Sequence, residues 1–290
     1  MGTGRVNMGW RLRVVHITRV SYAAPVRTLF NEARMTPLTL PSQTTLESRV
    51  TIGGAVPVWT YCDYWGSFVS VFDLPGPCSD LVITARSTVE TEPAAPRPVP
   101  ASIPAWTELR ERATGGRLLE FLLATALTTL ESSVTEPLLE ELRGTDPLET
   151  AVMIAARVRE RVSYMAGSTG VRTNAQQAWD QGQGVCQDIA HVTVGLLRAA
   201  GIPARYVSGY LHADPSAEPG HTVAGQSHAW VEYWAGTWVP CDPTNDASVG
   251  ERHVVVARGR DYADVPPLKG IYHGPPDSIL DVTVEVTRLA

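Results

Sequence analysis

The chain is short of the features that mark several common protein classes. It holds four cysteines in 290 residues, Cys62, Cys78, Cys186 and Cys241, with no CxxC pair and no zinc-ligand spacing. That argues against a disulfide framework and against a metal-built fold. No hydrophobic stretch reaches the ~20 residues that span a bilayer. The segment Met1 to Arg13 lacks the apolar h-region of a secretory signal. There is no long basic run, and the net charge is −6, so nucleic acid and anionic membranes are poor partners. These absences predict a cytoplasmic protein with free thiols, no cofactor and no metal. They leave the oligomeric state open.

What is present is globular. Hydrophobic residues make up 44% of the chain and charged residues 19%, enough for one large domain or two ordinary ones. Trp10 to Tyr22 reads as a strand that ends at Pro25. Leu46 to Ile52 and Ser67 to Phe72 are further strands. Leu81, Ile83, Ala85, Ser87 and Val89 alternate as one half-buried strand does. The stretch 1–92 is therefore expected to form a β-sandwich-like module. Cys62, Asp63 and Trp65 in it, and His16, read as structural. A proline-rich linker over 93–104 follows. The remainder, 105–290, begins with helices: Leu118 to Leu130, then one opened by Thr145-Asp146-Pro147-Leu148-Glu149 and running to about Val162. Thr173 is a candidate cap for a short helix through Trp179.

The chemistry gathers around Gly184 to His191. Gly182 and Gly184 break the preceding segment. From Cys186, Ile189, Val192, Leu196 and Ala199 recur at helix spacing, and Gly201 and Pro203 stop the helix. Cys186 thus falls in a first helical turn, where unpaired N–H groups and the dipole favour an anion. A thiol so placed can have its pKa lowered to ~3.5–7.5. The Cys186 N–H is also placed to steady an oxyanion. Burial as a small hydrophobe is the bland alternative.

Downstream, Ala204 to Leu211 reads as a strand, 212–226 as a loop long enough to be a lid, and Ser227 to Tyr233 and Thr237 to Asp242 as paired strands. Taking Trp234-Ala235-Gly236 as a three-residue hairpin loop sets Val231 against Val239 and His228 against Asp242. Opposed residues share a face with Cβ atoms ~4.5–5.5 Å apart, within reach of a carboxylate–imidazole bond. Cys241 falls on the other face and reads as structural. Cys186, His228 and Asp242 then form a nucleophile, a base and its orienting acid. Asp188 reads as a loop anchor and His191, about 140° around the helix from Cys186, as structural. Tyr164, Trp179 and Gln187 remain open as second oxyanion donors.

At Gly-Val-Cys-Gln-Asp (184–188), Ser-His-Ala-Trp-Val-Glu (227–232), Asp-Pro-Thr-Asn (242–245), Gly201 to Tyr210 and Gly259 to Pro267, the chain resembles the transglutaminase-like cysteine hydrolase superfamily. More narrowly it is similar to bacterial members with an N-terminal β module, a likeness extended by Asp63-Tyr-Trp-Gly66 and by Tyr22 to Val26. The resemblance implies an α+β fold, with a papain/transglutaminase-like core after the β-sandwich-like module. It carries over Cys186, His228 and Asp242 as the triad. It also brings in His253 and Arg260-Asp261-Tyr262, expected to brace the Asp-Pro-Thr-Asn loop or to line the cleft. Cys241 departs from the family pattern. The expected function is thiol-dependent acyl transfer on a peptide or protein substrate, most simply hydrolysis. The alternatives are amine transfer by a transglutaminase and peptide binding without catalysis.

Overall fold

The computed structural model describes residues 9–54, 56–94, 103–225, 227–275 and 277–290. Strand β1 (Trp10–Ala33) carries the N-terminal module, and β2 (Gln43–Ile52), β3 (Trp59–Cys62), β4 (Phe68–Leu74) and β5 (Cys78–Thr91) gather on it. The sequence predicts an end at Pro25, but β1 runs on. Pro25 lies in a register shift between Ser21 and Val26, where its missing N–H interrupts no ladder bond. The shift lets the two halves of β1 join different layers. Trp10 to Ser21 pair with β5, and Leu29 to Ala33 pair with β4. The curl encloses an apolar cluster that includes Val26, Leu29, Phe72, Leu81 and Ile83.

Helices α1 (Trp106–Ala113), α2 (Ser132–Glu141) and α3 (Pro147–Arg161) follow. Helix α3 starts as its sequence dictates: the Asp146 carboxylate accepts the Glu149 N–H at 2.9 Å and Pro147 occupies the first turn. The helix expected over Leu118 to Leu130 does not form. Its place is taken by a 3-10 turn, Gly116–Phe121, and irregular chain. Buried Arg198 donates to the carbonyls of Phe121 and Leu123 at 3.0 Å each, acceptors a helix would use internally. Thr125, Thr128 and Thr129 tie the rest into a local turn.

The core then builds β6 (Ser163–Tyr164), α4 (Ala175–Gln181), β7 (Gln183–Gly184), α5 (Cys186–Ala199), β8 (Ala204–Leu211), β9 (Thr222–Gly225), β10 (His228–Trp234), β11 (Trp238–Cys241) and β12 (His253–Gly259). The cap of α4 is Asn174, one residue beyond the expected Thr173. Strands run in the order β11-β10-β8-β12, all antiparallel, with α5 packed on β10 and β8.

The chain closes on its own beginning. Strand β13 (Leu268–His273) pairs with the second half of β1, and β14 (Ser278–Arg288) pairs with the first half from Leu12 to Tyr22. Strand β9 adds to β14, giving the order β2-β5-β1-β14-β9. Residue 105 therefore does not separate two sheets, because three later strands complete the first one. Of the expected linker, residues 95–102 lie outside the described residues. The 212–226 loop is tied down over part of its length. It contributes β9 to the sheet, and the ring nitrogens of His212 face the carbonyls of Asp214 and His221. Among the described residues, no helix is long and apolar enough to cross a membrane.

Candidate active site

Cys186 is the first residue of α5, and the preceding turn is held by one carboxylate. Asp188 Oδ2 accepts the Val185 N–H at 2.8 Å and the Thr169 hydroxyl, so the loop expected to be anchored by Asp188 is the one before the thiol. Gly184 makes this possible: a Cβ there would lie 2.7 Å from the Asp188 Cβ. Among the described residues no acceptor takes the Cys186 N–H, which leaves it open toward the cleft.

His228 opens β10 and Asp242 follows β11. The hairpin loop is three residues long, but it is Ala235-Gly236-Thr237, one position later than expected. Trp234 faces Trp238 and Val231 faces Cys241. Gly236 still takes positive φ, at 90°. The register differs from the expected one by two residues, and a slip of two keeps every side chain on its face. His228 and Asp242 are therefore diagonal neighbours rather than opposed. Their Nε2 and Oδ2 atoms lie 2.8 Å apart.

The two Asp242 oxygens have different partners. Oδ1 accepts the backbone N–H groups of Thr244 (3.0 Å) and Asn245 (3.2 Å), which folds the Asp-Pro-Thr-Asn turn. Oδ2 faces His228, the Asn245 side-chain amide at 2.9 Å, and His253 Nε2 at 3.2 Å. His253 thus braces this turn, one of the two roles anticipated for it. The Gly250 N–H points at its Nδ1 at 3.4 Å, so the ring proton sits on Nε2 and is given to Asp242. Burial pushes the His253 pKa down, against the pull of Asp242. Asp242 is fully buried, which would raise its pKa. Bonds from His228 and His253 win, and hold it well below the usual carboxylate range. For His228, burial lowers the pKa. Hydrogen bonds and charge from Asp242 and Cys186 outweigh burial and raise it to about 9. Asp242 takes Nε2, which leaves Nδ1 for the thiol. Trp230 stacks on the His228 ring, with centroids 5.8 Å apart.

The Cys186 thiol opens into a cavity of about 1000 Å³, walled on one side by α5, β8 and β10 and on the other by β1, β9 and β14. Of the three candidate oxyanion donors, Tyr164 and Gln187 line it. Trp179 does not, and lies under the Arg161 guanidinium at 5.6 Å. His191 stays structural: its Nε2 accepts the Tyr262 N–H at 3.1 Å. Cys241 faces a separate cavity of about 300 Å³.

Two further residues line the cleft: Tyr206, which was not singled out from sequence, and His16, which was read as structural. Tyr206 lines the wall beneath the thiol, and burial followed by the nearby Cys186 charge pushes its phenol well above the usual tyrosine range. Its place on β8 opposite α5 is the signal that could have found it. His16 lines the far wall, bonded to Tyr210 and Thr18, and burial lowers its pKa to about 4.

Sequence spacing suggested no metal site. In space, His228, Asp242 and His253 bring three ligand-type atoms within 4.8 Å of one another. The protons that join these residues occupy the same lone pairs a cation would need.

Comparison with known proteins follows this architecture. Residues 137–243 match the family model of the transglutaminase-like superfamily, and residues 12–90 match that of the bacterial transglutaminase-like N-terminal region. An uncharacterised protein of Mycobacterium leprae is 44% identical over 281 residues, covering 97% of this chain and all of that protein. A protein-glutamine gamma-glutamyltransferase of Pseudomonas aeruginosa is 40% identical over 70 residues, covering 23% of this chain and 10% of that one. Among solved structures, a candidate cysteine protease from Cytophaga hutchinsonii has the same fold. Its TM-score is 0.75 at 19% identity, covering 97% of this chain and 91% of that one.

Proposed function

The chain belongs to the transglutaminase-like superfamily, and from that premise we propose that it is a thiol-dependent acyl-transfer enzyme acting on peptide-like amide bonds. The observation that carries the reading is the contact sequence Asp242–His228–Cys186, with His228 favoured as imidazolium beside the thiol. In the proposed reaction the Cys186 sulfur attacks the amide carbonyl carbon, and the Cys186 N–H receives the developing oxyanion. The C–N bond breaks as His228 gives its proton to the leaving amine. A thioester remains. Water then loses a proton to His228, attacks the thioester and releases the acid and the thiolate.

We favour hydrolysis as the simpler reading, because water as the acceptor needs no second binding site. The local likeness to a glutamyltransferase favours the second reading, in which an amine replaces water. A cytoplasmic setting belongs to the same proposal, since a reducing compartment keeps a reactive thiolate from oxidising. The test is product analysis by mass spectrometry on unstructured peptides, with and without a primary amine, for the parent and Cys186→Ala. New peptide termini that need Cys186 support hydrolysis. Amine adducts at glutamine support transfer. Unchanged peptides in all samples leave binding without catalysis.

A further inference from the structure

Strand β9 ends one sheet and leads, three residues later, into His228. It lies between β14 and solvent. Opposite β14, Val286 faces Val223 and Val284 faces Gly225. The Arg288 N–H bonds to the His221 carbonyl, which fixes the hydrogen-bonded phase of this pair. In an antiparallel ladder the phase alternates, so Val223 and Gly225 bond to β14 while Thr222 and Ala224 turn their N–H and C=O groups outward. Among the described residues nothing pairs with those outward groups, and Thr222, Ala224 and Gly225 are exposed. Such edges are normally covered, bulged or charged. This one borders the cleft that holds Cys186, through Val223, Ala224 and Gly225.

The cavity face beside that edge is also open. A row runs across the sheet from His16 through Val284 to Gly225, all on the cavity side. A Cβ built on Gly225 would meet nothing within 4 Å. Below it, Val282, Val284 and Thr18 offer a largely apolar, uncharged floor.

We propose that the outer edge of β9 is the backbone-docking strand for the substrate: an extended, unstructured peptide adds to Thr222–Gly225 as a further strand and is thereby led to Cys186. The assignment rests on the acyl-transfer reading above and names the substrate class. Ala224 exchanges both of its backbone bonds with one peptide residue. The neighbouring peptide residue turns its side chain over Gly225 into the cavity, and an uncharged side chain suits that floor. Recognition through main-chain bonds is a known use of free strand edges. Thr222 and Ala224 offer a peptide two N–H donors and two C=O acceptors, whereas a stable pairing of two copies needs a far larger interface, ~1,200 Å² or more.

The test needs no known substrate sequence, because main-chain docking is sequence-independent. The probe is acetyl-tetra-alanine ending in a vinyl sulfone, which alkylates Cys186, beside the same probe with N-methylated amides and beside iodoacetamide. The parent is expected to react about tenfold faster with the plain peptide than with its N-methylated form, the size expected for one or two lost hydrogen bonds. Ala224→Pro, which removes an outward N–H but no ladder bond, is expected to erase most of that preference. Its iodoacetamide rate stays unchanged, and Ala224→Val behaves as the parent. Equal rates for the plain and N-methylated probes on the parent protein overturn the proposal. So does a parent dimer that Ala224→Pro converts to monomer in sedimentation, since the edge would then join two copies. Edge-dependent labelling without turnover of any peptide keeps the docking strand and removes the acyl-transfer reading. Turnover with no edge dependence does the reverse.

Discussion

His228 Nε2 lies 2.8 Å from Asp242 Oδ2 although the two residues do not oppose each other across their hairpin. The same carboxylate also receives a proton from His253 and folds its own turn through Oδ1. Asp242 therefore sets both the position and the charge of His228. Asp242→Asn keeps the shape but puts a donor where acceptors are needed. Peptide turnover is expected to fall by roughly 10²–10⁴-fold, as orienting-acid replacements do in analogous triads. Steady-state rates on one peptide for parent and variant check this, with Cys186→Ala as the zero.

The pH profile follows from His228. Its folded pKa, about 9, lies above the ordinary histidine value of 6.5, so protonation stabilises the folded state. That contribution is full below the unfolded value and is lost as pH rises through about 9. Turnover is expected to have its basic limb near pH 9, and thermal stability is expected to decline over the same range. Rate and melting temperature measured between pH 6 and 10 check both.

His253 acts through Asp242 and is a positioning residue. His253→Gln can still donate to Oδ2, whereas His253→Ala removes the donor and leaves a gap beside Trp230, which packs edge-on to this ring at 5.3 Å. The alanine variant is expected to lose about tenfold in kcat with KM little changed, and to move its basic limb, while glutamine restores most of the loss. A purely structural role would lower stability without moving the limb.

Arg198 tests the fold apart from the chemistry. Its guanidinium donates to carbonyls of Phe121, Leu123, Ala204 and Arg260 and to the Thr128 hydroxyl. Arg198→Met leaves those buried acceptors without their donor. A loss of about 3 kcal/mol is expected, seen as a lower denaturation midpoint in urea. The alkylation chemistry of Cys186 in the folded fraction is expected to persist.

How far the sequence could be read depends on whether the deciding interaction was local. The Cys186 helix start, the Asp146 cap of α3 and the β10–β11 pairing are set by neighbours in the chain, and each was legible. The hairpin loop was misplaced by one residue, yet the face assignment survived because the resulting slip was an even number. Two things depended on distant partners and were not legible. The return of β13 and β14 to β1 needs both ends of the chain. The failed helix at Leu118 to Leu130 needs Arg198, some seventy residues on. His253 was anticipated at this turn only through the family resemblance, because its bond to Asp242 needs β12 to bring it there.

The most direct measurement is alkylation of Cys186 by iodoacetamide as a function of pH, followed by peptide mass spectrometry in the parent and in His228→Ala. Near neutral pH Cys186 is expected to be alkylated ahead of Cys62, Cys78 and Cys241, and His228→Ala is expected to slow it. A Cys186 that reacts no faster than the other three thiols and is indifferent to His228→Ala would contradict the activated pair.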